Sequence, residues 1–80
     1  LSKVTDFAPH ATVLTEANHE TLYHYGSPIA RRYDDGKVLL HPDYWDYSQT
    51  THKVRGRFLG ENTTTTRKHI EDGTYEIREF

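Results

Sequence analysis

Asp34-Asp35-Gly36 stands between two runs rich in apolar residues, Ile29–Tyr33 and Lys37–His41, and constrains the fold more than any other stretch. Asp-Gly readily supplies the positive φ angles of a tight hairpin turn. Pro28 precedes the first run, where a missing N–H donor matters least. The pattern predicts a β-hairpin over residues 28–41. Just upstream, Thr21–Tyr25 alternates like a strand, with Leu22 and His24 on one side and Tyr23 and Tyr25 on the other. Gly26–Ser27 then reads as a bend.

The period changes after the aromatic group Tyr44, Trp45 and Tyr47, which either roofs a small core or lines a surface groove. Val54 and Phe58 are four residues apart and Leu59 widens their stripe, which predicts a short helix within Ser48–Gly60. Ser48, Thr50 or Thr51 supplies its cap, and Gly60 accepts the left-handed conformation after its last turn. Gly56 weakens such a helix by about 1 kcal/mol relative to alanine, so packing on the sheet has to sustain it.

The flanks are less regular. Val4, Phe7, Val13 and Leu14 keep no clear period, and Pro9 interrupts any helix, so residues 1–20 read as a partly ordered arm or an edge strand. Asn62 and Thr63–Thr66 favour an exposed loop or an extended edge. Arg67–Ile70 and Thr74–Phe80 read as strands joined by the turn Glu71-Asp72-Gly73, giving a second hairpin. The expected fold class is α+β: a small antiparallel sheet of four or five strands with one short helix packed on a face. Eighty residues suffice for a single domain spanning 1–80.

Composition narrows the chemistry. There is no cysteine, which excludes a disulfide, a thiolate metal ligand and a thiol nucleophile, and accords with a cytoplasmic setting. No apolar run is long enough to cross a bilayer, so no membrane partner is expected. The net charge of −2 exerts no global pull on nucleic acid. Residues 50–59, however, carry Lys53, Arg55 and Arg57 without an acid.

Six histidines invite a metal reading. His19 and His24 are one residue too far apart for the helical zinc-protease motif, and His10, His41, His52 and His69 are dispersed. No metal and no cofactor are expected. Ser48, His52 and Asp46 can be drawn as a hydrolytic set, but such residues are common and nothing linear shows a cleft that separates two pKa values. No catalytic residue is assigned. Asn62-Thr63-Thr64 fits the glycosylation pattern, for which a solvated polar loop is the simpler account.

The strongest lead is Tyr47–Arg57. Around a helix start at Thr50 or Thr51, free N–H groups and threonine hydroxyls can hold a phosphate oxygen, with His52, Lys53, Arg55 and Arg57 adding donors. Tyr44, Trp45 or Tyr47 can stack on a base if exposed. The rival account is an ordinary capped amphipathic helix with a solvated basic face.

The stretch YSQTTHKVRGRFLG at Tyr47–Gly60, with the Tyr23/Tyr25 strand and the Asp-Gly hairpin before it, resembles a group of small proteins encoded by phages and related mobile elements. Tyr47, Ser48, Thr50, Thr51, Phe58 and Leu59 match that group's YSxTT…FL pattern, whereas Val54 stands where the group usually has histidine. The resemblance implies a non-enzymatic accessory or interaction domain in the host-cell cytoplasm. Its expected partner is another protein, a second copy of itself, or nucleic acid held by the basic helix. A small hydrolase-like enzyme is the remaining alternative, and it requires convergent titratable groups in a concave site.

Overall fold

The computed structural model describes residues 2–80 and places a turn at Asp34-Asp35-Gly36, as the sequence predicts. Gly36 has φ 93°, and its N–H donates to the Tyr33 carbonyl at 2.9 Å. The Asp35 carboxylate accepts the Lys37 N–H at 2.9 Å. The flanking strands β4 (Ser27–Tyr33) and β5 (Val38–Leu40) pair antiparallel, with Ala30 opposite Leu40 and Arg32 opposite Val38.

The chain before this hairpin forms a meander of three strands: β1 (Lys3–Ala8), β2 (Ala11–Thr15) and β3 (His19–His24). Residues 1–20, expected to be an arm or one edge strand, thus contribute two complete strands. Pairing with β3 supplies the order that local periodicity lacks, since Val13 sits opposite Leu22 and Leu22 opposite Ala30.

Helix α1 (Gln49–Leu59) follows as expected, with Ser48 at its N-cap accepting the Thr51 N–H at 3.1 Å and Gly60 at its C-cap with φ 73°. Beyond it the expectation fails. Thr63–Glu71 is a second helix, α2, and β6 (Tyr75–Ile77) runs parallel to β5. Among the described residues the sheet therefore has six strands in the order β1-β2-β3-β4-β5-β6 and is mixed, and there are two helices, which corrects the four or five antiparallel strands and single helix read from sequence.

Threonine's β propensity is overridden here by capping and burial. The Asn62 side chain accepts the Thr65 N–H at 2.8 Å, and the Thr66 hydroxyl, fully buried, donates to Glu61 Oε2 at 2.7 Å. Tyr75 closes the arrangement by donating its hydroxyl to Glu61 Oε1 at 2.6 Å. Burial, together with the adjacent Glu61 carboxylate, pushes the Tyr75 phenol well above its usual pKa.

One face of the sheet carries Val13, Leu22, Ala30 and Leu40 in neighbouring register positions, and α1 covers it with Val54 and Phe58. Phe7 meets the edge of the Phe58 ring at 6.2 Å between centroids. Arg32 ties the end of α1 to the sheet: it pairs with Glu20, lies over the Phe58 ring and donates to the Phe58 carbonyl at 2.8 Å. That carbonyl is one of those a helix leaves unpaired in its last turn.

Candidate functional site

The basic cluster read from sequence divides into two sets. Arg55 is fully buried and belongs to the interior. Its guanidinium donates to the Trp45 carbonyl and, at 2.9 Å, to the Thr63 hydroxyl, and it lies over the Trp45 ring. It holds together α1, the loop before it and the start of α2, and cannot reach a phosphate in bulk solvent. Burial lowers its pKa, an effect opposed by the nearby Asp46 and Glu61 carboxylates.

His52, Lys53 and Arg57 do come together, along a shallow surface groove that Gly56, Glu61, Asn62 and Thr63 complete. Arg57 lies over the Phe7 ring. His52 pairs with Asp46, which also takes Arg67 at 3.2 Å. Burial would raise the Asp46 carboxyl, but the hydrogen bonds from His52 and Arg67 outweigh it and hold the group below its usual range. Thr50 is exposed on the first turn.

The stacking candidates also separate. Guanidinium groups of both Arg55 and Arg67 lie over the Trp45 rings, at 5.2 and 5.3 Å. Tyr44 is half-buried against His41, whereas Tyr47 is 74% exposed.

Tyr44 and Tyr47 do share a concave site, although it is not the one the basic residues suggested. A cavity of about 450 Å³ opens between the β3–β4 turn and the N-terminal end of α1, lined by His24, Tyr25, Ser27, Ile29, Tyr44, Tyr47, Ser48 and Thr51. This lies within the roughly 300–1,000 Å³ typical of small-molecule sites. Thr51 is 1% exposed, and its hydroxyl lies 3.0 Å from Ser48 Oγ and 3.1 Å from His24 Nδ1. The other ring nitrogen of His24, Nε2, is buried with no hydrogen-bond partner among the described residues. Burial, reinforced by the nearby His10, lowers the His24 pKa and keeps the imidazole neutral at pH 7.

The rim is aromatic. Tyr25 is 68% exposed and has φ 53°, a left-handed conformation that costs a bulky residue about 1–2 kcal/mol. It is held there by stacking on His10 at 4.5 Å and by donating its N–H to the His10 carbonyl at 2.7 Å.

Of the candidate site residues, this cavity takes Thr51, Tyr44 and Tyr47; the groove takes His52, Lys53 and Arg57. The set Ser48, His52 and Asp46 does not converge, because His52 turns to Asp46 while Ser48 turns to Thr51. The histidine that reaches the hydroxyls is His24, whose place beside Leu22 in the alternating strand was its only signal of burial. Among the described residues, no three acids or histidines come together as a metal site, and no helix is long and apolar enough to cross a membrane. Compared with protein-family models, with curated proteins and with solved structures, the chain shows no match.

Proposed function

We propose that the domain is a non-enzymatic recognition module that takes a planar group of its partner into the tyrosine-rimmed cavity above Ser48, Thr51 and His24. The observation that carries this reading is the buried Nε2 of His24, unpartnered among the described residues, in a residue that lines the cavity. A buried polar atom without a partner costs about 1–3 kcal/mol, so a chain that retains one beside a cavity gains by binding a ligand there. The exposed Tyr25 and Tyr47 supply large, rigid contact area at low entropic cost.

Binding fits the geometry better than hydrolysis does. A catalytic imidazole is oriented by an acceptor behind it and faces a nucleophile in front. Here the Thr51 hydroxyl behind Nδ1 is itself buried, and no carboxylate is bonded to the ring. Tyr47, Ser48 and Thr51, three of the residues that resemble the phage-encoded group, line this cavity, which favours an accessory role in the cytoplasm of an infected host.

The test is an amide-resolved NMR titration with soluble planar probes such as benzamide, indole and uracil. Shifts are expected at Tyr25, Tyr47, Ser48 and Thr51. Shifts confined to Lys53 and Arg57 would transfer the binding role to the groove, and no response to any probe would refute the reading.

A further inference from the structure

We infer that the cavity selects a nucleobase, because its polar floor offers one hydrogen-bond donor and one acceptor at a time; this rests on the cavity being the binding site. Ser48 Oγ, Thr51 Oγ1 and His24 Nδ1 form a chain with links of 3.0 and 3.1 Å. Thr51 has one proton and is buried with Ser48 and His24 as its side-chain partners, so accepting from both would leave that proton unpaired; with the proton used, the chain runs in one of two directions. If Ser48 donates to Thr51 and Thr51 donates to Nδ1, the imidazole proton sits on Nε2. His24 then offers a donor, and Ser48, which also accepts the Thr51 N–H, keeps one free lone pair.

In the other direction, Nδ1–H donates to Thr51 and Thr51 donates to Ser48. Nε2 then becomes the acceptor, and both lone pairs of Ser48 are occupied while its own proton is free to donate. The two ends of the chain always have opposite polarity as long as the imidazole is neutral.

The complementary ligand edge carries a donor and an acceptor side by side, as the pairing edges of nucleobases do. A simple anion, which only accepts, matches neither direction. The ring of such a ligand stacks on the tyrosines at the rim, Tyr25, Tyr44 and Tyr47. His24 Nε2 is itself sealed, so reaching it requires the Tyr25 ring, tilted against His24 at 4.7 Å, to leave its stack on His10 when a ligand enters. The cavity is far roomier than the carboxamide of asparagine or glutamine requires, which favours a ring.

The experiment titrates the intact domain with uridine and adenosine, and with uridine methylated on its ring N–H and adenosine dimethylated on its exocyclic amine. Nitrogen-15 spectra of the His24 ring follow the tautomer. The parent nucleosides should bind at least tenfold more tightly than the methylated forms and shift the ring signals toward a single tautomer. Equal binding of parent and methylated forms overturns the edge inference. So does binding of indole or benzamide in the cavity with no response to any nucleoside; in both cases the cavity reading survives. Silence from every planar probe removes both. A short single-stranded oligouridylate distinguishes the source: tighter, salt-sensitive binding than uridine supports a nucleic acid, and equal affinity supports a free nucleoside.

Discussion

His24 Nδ1 lies 3.1 Å from the hydroxyl of Thr51, a contact between residues 27 positions apart that joins the end of β3 to the first turn of α1. Replacing the hydroxyl with a methyl group of similar size leaves Nδ1 buried without a partner. Thr51→Val should therefore lower unfolding free energy by about 2 kcal/mol, whereas Thr51→Ser should stay within about 1 kcal/mol of the parent. Urea denaturation monitored by circular dichroism checks both.

Arg55 and Lys53 are neighbours in a basic run but differ in environment. Arg55→Ala removes charge-assisted bonds to the Trp45 carbonyl and the Thr63 hydroxyl, and should destabilise the fold by about 3 kcal/mol. Arg55→Lys should recover little of this, because an ammonium lacks the planar fork that reaches two acceptors. Lys53→Ala, at an exposed site, should change stability by less than about 0.5 kcal/mol. Equal losses at the two positions would contradict the division of the basic run.

The lowered pKa of His24 gives a pH dependence of known sign. Above the ordinary histidine value of about 6.5, both folded and unfolded chains hold the ring neutral, and stability is at its full level. As pH falls below that value, the unfolded chain takes up a proton that the folded one resists, so stability drops until the folded-state value is passed. His24→Gln should remove this component, and the stability difference between parent and variant should shrink between pH 7 and pH 5. Ligand affinity should hold through that window and fall only once the pH passes the lowered folded-state value, since an imidazolium offers donors only. The lowered carboxyl of Asp46 acts in a more acidic window, with stability lost below about pH 3.8.

Gly56 has a structural reason to be glycine. A Cβ built there would stand 2.6 Å from the Glu61 carbonyl oxygen, which belongs to backbone and cannot rotate away. Gly56→Ala should destabilise the domain by roughly 1–3 kcal/mol, although alanine is favoured by about 1 kcal/mol in an isolated helix. A thermal melt of the variant above that of the parent would contradict this.

The elements legible in the sequence are those whose signals are local. The Asp-Gly turn and the Gly60 stop carry their own chemistry and appear where they were expected, and Ser48 is the one of the three capping candidates that the helix uses. Thr63–Glu71 was illegible because threonine taken alone favours strands, and the contacts that make it helical come from Glu61 below it and Tyr75 across from it. The parallel pairing of β5 with β6 was hidden for a related reason, since a turn at Glu71-Asp72-Gly73 reads equally well as a hairpin or as a helix exit. For the site, Tyr44, Tyr47 and Thr51 were picked out from sequence, but the cavity they share was not, because its opposite wall comes from His24, Tyr25, Ser27 and Ile29. His24 was weighed only as a metal ligand, because its partner hydroxyl is remote in sequence, and Arg55 was misread because composition does not distinguish a buried guanidinium from a solvated one.

The chain's single tryptophan lies under guanidinium groups from both helices, Arg55 on α1 and Arg67 on α2. Its fluorescence is therefore a built-in gauge of how the two helices are seated, needing no dye or label. A ligand that shifts α1 relative to α2 would register as a change in emission colour, while one that settles beside the tyrosines without disturbing the helices would leave that signal unchanged.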